Sequence, residues 1–158
     1  MAHLGNSRET DAMIDLDRAA NDKERLALSL FKAMEEGDLA DKIEALCADG
    51  FAWANSGLPT LEGKASVFAH MAAGGFANDI PILKGMTSFS ADLLHIASST
   101  AGGRTVVFTE RIDHHWDAAG RDLMTPHICG VIEIEDGKIQ ALRDFYDTCC
   151  YEQDPVEP

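Results

Sequence analysis

The sequence predicts an α+β domain, with about three helices covering one face of a curved antiparallel sheet, and three observations lead there. Up to Pro81, apolar residues recur at spacings of three and four, the period of a helix with one buried face. Beyond Pro81 the character changes to long strand-like runs. Within these, "EDGK" at 135–138 sets Asp136-Gly137 between two such runs, the signature of a two-residue hairpin turn. Helices first and a meander after them is the order of an α+β fold.

The elements follow in chain order. Residues 1–20 lack a clear period and are expected to be a mobile extension; 21–151 form one domain and 152–158 a tail. Leu26, Leu30, Phe31 and Met34 share one face of the first helix, and Gly37 supplies its stop. Asp38 can cap a second helix with the stripe Leu39, Ile43, Leu46 and Cys47. "DGFAWANSGLP" runs through a short strand into a Gly-Pro loop, and "EGKASVFAHMAAGGF" reads as a third helix, weakened at Gly74 and Gly75. Strands are expected at about 84–98, 103–116, 121–135 and 138–147. "AGG" at 101–103 is a turn; no lysine or helix start follows it, as a phosphate loop would need.

A chain of 158 residues fits one domain, and 46% hydrophobic content suits a folded one. No run reaches the roughly 18 apolar residues that span a bilayer. The N-terminal segment is acidic and has no apolar signal stretch, so a cytoplasmic home is the default expectation. A formal charge of −14 argues against nucleic acid, anionic membranes and strongly anionic substrates, leaving a small neutral substrate as the best fit. Cys47, Cys129, Cys149 and Cys150 form no C-x-x-C spacing, and the vicinal pair is expected to be reduced thiols. His114, His115 and His127 invite a metal reading, but neighbours on a strand point to opposite faces, so no metal is expected.

The hairpin serves as a ruler. A two-residue turn at 136 and 137 sets Ile134 opposite Ile139, Ile132 opposite Ala141 and Cys129 opposite Asp144, with Leu142, Asp144 and Tyr146 on one side unless a bulge intervenes. In the strand before it, Thr105, Val107, Thr109, Arg111 and Asp113 share a face. The other face carries Val106, Phe108, Glu110 and Ile112 and is just as apolar. Periodicity leaves open which of the two is buried.

"TERIDHH", "HICGVIEIEDGKI" and "LRDFYD", with "WANSGLPTLEGK" upstream, resemble the limonene epoxide hydrolase family. That family lies within the nuclear-transport-factor-2-like (NTF2-like) group that also holds ketosteroid isomerases and SnoaL-type cyclases. The likeness covers about residues 22 to 150. It implies a cone-shaped pocket between the helices and a strongly curved sheet, with Arg111, Asp113 and Asp144 pointing into it. By the same resemblance Asp144 takes a proton from an attacking water, Asp113 protonates the epoxide oxygen, and Arg111 lies between them. Asn55 helps hold the water, beside Trp53 where the family usually has tyrosine. Tyr146, His127 and Leu142 are expected to line the pocket. No cofactor is implied, and a homodimer is the expected assembly.

The chemistry is coherent. Opening an unactivated epoxide in one step needs a base for water and an acid for the departing alkoxide. Two carboxylates in a poorly solvated pocket resist being charged together, so one tends to keep a proton. An indole N–H can only donate, whereas a tyrosine hydroxyl also accepts, so Trp53 is a departure that bears on the water. Two other readings stand beside hydrolysis: a proton-transfer isomerase or cyclase using Asp144 or Asp113 as base, and a non-catalytic binding or dimerisation module.

Overall fold

A computed structural model describes residues 14–152 of the chain. The first helix, α1 (Asp22–Glu36), starts at Asn21, whose side-chain oxygen accepts the amide of Glu24. Glu24 in turn accepts the amide of Ala20, so the two ends of this turn cap each other. Gly37 closes α1 in the left-handed region at φ 79°. The second helix, α2 (Leu39–Leu46), begins at Asp38, but that side chain caps nothing. The third, α3 (Lys64–Ala72), is shorter than expected. Gly74 and Gly75, both at positive φ, break it and start a single turn, α4 (Phe76–Asp79).

Residues 1–13 of the expected extension lie outside the described residues, as does most of the tail. The segment from Ile14 to Asn21 straps the sheet to α1: Ile14 is buried, and Arg18 donates to the carbonyls of Leu93 and Leu94. Six strands form one sheet: β1 (Cys47–Asn55), β2 (Leu61–Glu62), β3 (Met86–Ala101), β4 (Arg104–Asp117), β5 (His127–Glu135) and β6 (Lys138–Phe145). Their order is β2-β1-β6-β5-β4-β3. The helices and strands make the NTF2-like fold expected of the sequence, with one difference in the sheet. It is mixed rather than antiparallel throughout, because β1 runs parallel to β6. A strand preceding the meander has no sequence signal for its direction; here it runs parallel to β6 and pairs antiparallel with β2 on its other edge.

Residues 121–126 are loop rather than strand. Pro126 cannot donate to a ladder, and its carbonyl accepts the amide of Asp113 instead. The core lies between α1, α2, α3 and the inner sheet face, around Phe31, Phe51, Ile43, Ile132 and Ile139. A smaller cluster of Ile80, Ile82, Leu83, Leu123 and Met124 closes one end. No described helix is long and apolar enough to cross a membrane.

Candidate active site

The inner face of β4 is the one that carries Thr105, Val107, Thr109, Arg111 and Asp113; all five are buried. Arg111 is fully enclosed, so its charge must be met from within. All five of its N–H groups are used. Nε and Nη2 donate to the two oxygens of Asp113, each at 3.0 Å. Nη2 also reaches Asp144 Oδ2 at 3.1 Å, and Nη1 donates to Asp144 Oδ1 at 3.2 Å and Thr109 Oγ1 at 2.9 Å. The ring of Phe31 lies 4.0 Å from the guanidinium carbon, a cation–π contact from the helical side.

Asp144 reaches this site through a bulge. Ile134 pairs Ile139 as the hairpin ruler predicts, but Glu133 then pairs Ala141, leaving Gln140 as an extra residue. The correction carries through the strand. Asp144 faces Gly130, not Cys129, and Cys129 faces exposed Phe145. Side chains alternate faces, so the unbulged register would have set Asp144 on the outer side with Cys129. The guanidinium then lies against Gly130, where a Cβ would stand 2.5 Å from Arg111 Nη1 and 2.9 Å from Asp144 Oδ1. Only glycine fits there.

Asp113 and Asp144 line a cavity of about 340 Å³, whose walls include Trp53, Phe89, Phe76 and Leu83. This volume suits a small, mostly apolar molecule. The parallel pairing of β1 on β6 sets Asn55 opposite Asp144 and Trp53 opposite Leu142. Asn55 lines the cavity and accepts from the Tyr146 hydroxyl at 3.1 Å, which also meets the hydroxyl of Tyr151. Trp53 lines it too, set edge-on to Phe76 at 5.0 Å, and its indole N–H is buried without a partner among the described residues.

Three expected wall residues stand elsewhere. Leu142 is buried in the core behind the wall, and Tyr146 acts one layer out, through Asn55. His127 is on the outer sheet face, exposed and bonded to Glu110 at 2.8 Å. The same bulge explains it: with Asp144 facing Cys129, odd-numbered residues of β5 would have turned inward, whereas the even-numbered ones do. His114 and His115 point to opposite faces. His114 bridges Asp92 and Asp122, while His115 lines the cavity. His115 was accessible to the sequence argument, since it shares the parity of Arg111 and Asp113. Gly130 and Phe31 had no such signal.

Burial pushes the Asp144 carboxyl above the ordinary range, the Asp113 charge adds to this, and Arg111 opposes it. For Arg111, burial works against the charge, but Asp144 and Asp113 outweigh it and hold the guanidinium protonated. Burial lowers His115 below the usual imidazole value. It also pushes the Cys47 thiol up to about 12, so that cysteine is inert at neutral pH. The arrangement is a desolvated cation clamped between two carboxylates that both open on one apolar cavity. It can hold a proton on one carboxylate while the other accepts one.

Among solved structures, the chain is similar to an LEH-like epoxide hydrolase of M. tuberculosis, at 22% identity over 81% of this chain and 80% of that one, with a TM-score of 0.60. It is also similar to a SnoaL-like polyketide cyclase from Jannaschia sp. at 15% identity, covering 84% and 90%, TM-score 0.56. An NTF2-like protein of unknown function from Burkholderia pseudomallei matches at 19% identity, covering 79% and 90%, TM-score 0.56. No curated protein matches the chain significantly. The model of the limonene-1,2-epoxide hydrolase catalytic domain matches residues 22–151, and the chain belongs to that family.

Proposed function

We propose that the protein adds water to a small, neutral, hydrophobic epoxide in one step, giving a vicinal diol without a cofactor. Asp144 takes the proton from a water as that water attacks an epoxide carbon. Asp113 gives its proton to the oxygen as the C–O bond breaks. Arg111 spans both carboxylates, so the proton gained by Asp144 and lost by Asp113 leaves the charge of the cluster unchanged. Asn55 holds the water, and Trp53 walls the cavity beside it, its indole N–H closed off from the water expected there. The observation that carries this reading is the pairing of Asp113 and Asp144 on one fully buried Arg111 at the wall of an apolar cavity. The raised Asp144 carboxyl supports it further, because a base works best when its proton affinity approaches the operating pH.

A panel of terpene, cyclohexene, styrene and steroid-like epoxides tests it. Diol should form from at least one, and Asp144→Asn and Asp113→Asn should each abolish turnover in a folded protein. Turnover retained in both variants would sink the mechanism. Isomerisation of an enone, or cyclisation without oxygen from water, would assign the site to proton transfer instead. We further propose that the chain works as a homodimer, supported by Phe108 and Phe145 standing 43% and 52% exposed on the outer sheet face. Light scattering at micromolar concentration should give twice the chain mass, and a monomer would contradict this.

A further inference from the structure

His115 is a polar residue of the cavity wall that the reaction above leaves unused. Its Nδ1 lies 2.7 Å from the carbonyl of Met124, a group that can only accept. The Nδ1 therefore carries the ring proton, and the ring cannot be turned over without placing a carbon against that oxygen. In the neutral ring Nε2 is then a bare acceptor. Burial keeps the ring neutral by disfavouring its charged form. Nε2 makes no hydrogen bond among the described residues, and it is not sealed from solvent as the Trp53 N–H is. The other cavity histidine, His70, differs: its Nε2 is held by Asp79 at 2.5 Å. Phe89 meets the His115 ring nearly edge-on at 5.7 Å, and the ring's bond to Met124 fixes its other end.

An imidazole held this way in the cavity wall leaves one uncommitted acceptor open to a ligand. We infer that the substrate carries a hydrogen-bond donor, a hydroxyl or an amide N–H, that docks on His115 Nε2 while the epoxide sits at Asp113. Two residues along a strand span about 7 Å, so the donor belongs a few bonds from the oxirane ring. A plain hydrocarbon epoxide would leave Nε2 unpaired when it displaced water, and would be the poorer substrate. This rests on the cavity being the site of epoxide opening, and it narrows the substrate class to hydroxylated or amide-bearing epoxides.

The test uses two isomers without an epoxide, so that it does not depend on turnover. Cyclohexylmethanol has an O–H donor; methoxycyclohexane has the same atoms and none. The alcohol should bind about tenfold tighter, the scale of one neutral hydrogen bond with an otherwise unpaired partner. The ¹⁵N resonance of His115 Nε2 should shift with the alcohol alone. His115→Asn, whose amide can still donate to Met124, should lose the preference, as should His115→Phe, which keeps a ring against Phe89. Equal affinities, an unmoved resonance, or a preference that survives both substitutions would overturn the inference. An alcohol preference in a protein that hydrolyses no epoxide would overturn the proposed function and leave the donor site standing. Diol formation without the preference would do the reverse.

Discussion

Replacing Gly130 with alanine tests the clamp without touching a charged residue. The new Cβ would lie 2.5 Å from Arg111 Nη1, 2.7 Å from Thr109 Oγ1 and 2.9 Å from Asp144 Oδ1. Ordinary contact begins at 3.4 Å, so the guanidinium must retreat by about 0.9 Å (3.4 − 2.5). Phe31 lies 4.0 Å below it, and its five donors are committed, so it has nowhere easy to go. The Nη1 bond to Asp144, already 3.2 Å, is the first to open. Overpacking costs about 1–3 kcal/mol, and weakening a charge-assisted bond adds about 1.5–3 kcal/mol. The expected loss of stability is therefore about 2.5–6 kcal/mol by denaturant unfolding. A displacement near 1 Å also costs on the order of a hundredfold in turnover. Gly50→Ala is the control, because nothing lies within 4 Å of its Cβ. A Gly130→Ala protein with parental stability and kcat, matching the control, would refute the claim that the arginine is packed against this backbone.

Deleting Gln140 should restore the unbulged hairpin, turn Asp144 outward beside Cys129 and cost more than about a hundredfold in activity; an active deletion variant would contradict the register argument. Arg111→Met leaves two buried carboxylates without a cation and should destabilise by about 3–5 kcal/mol at pH 8. That loss should shrink toward pH 5. A carboxyl whose folded value is raised adds stability while protonated and loses it as pH rises through that value, so a pH-independent loss would count against burial as the cause. Trp53→Phe and Trp53→Tyr each keep an aromatic ring in the cavity wall and should change KM more than kcat. A large fall in kcat with KM unchanged in Trp53→Phe would contradict a purely wall-lining role.

Local chemistry made the helices and the hairpin legible. Asn21, Gly37 and Asp136-Gly137 each mark a boundary by their own conformational preferences, and the turn falls where the dipeptide put it, with φ of 53° and 71°. The face of β4 was not legible from period alone, since Val106 and Phe108 read as well inward as Val107 does. Resemblance pointed inward, and the reason emerges only in three dimensions: Arg111 is solvated by Asp113 and Thr109 of its own strand, Asp144 of β6 and Phe31 of α1. The Gln140 bulge was invisible because nothing in "KIQAL" requires it. That single residue accounts both for Asp144 facing Gly130 and for His127 standing outside. The parallel pairing that brings Asn55 beside Asp144 is a tertiary fact, with no local signal in "FAWANSG".

The central claim is that water attacks the epoxide directly, with Asp144 as base rather than nucleophile. A single turnover in ¹⁸O-water, with enzyme in excess over an active epoxide, tests it most directly. Direct attack puts one labelled oxygen in every diol of that first turnover and leaves the carboxylates of Asp144 and Asp113 unlabelled. An unlabelled first-turnover diol, with ¹⁸O appearing later in a peptide containing Asp144 or Asp113, would mean a covalent ester intermediate and would contradict the account.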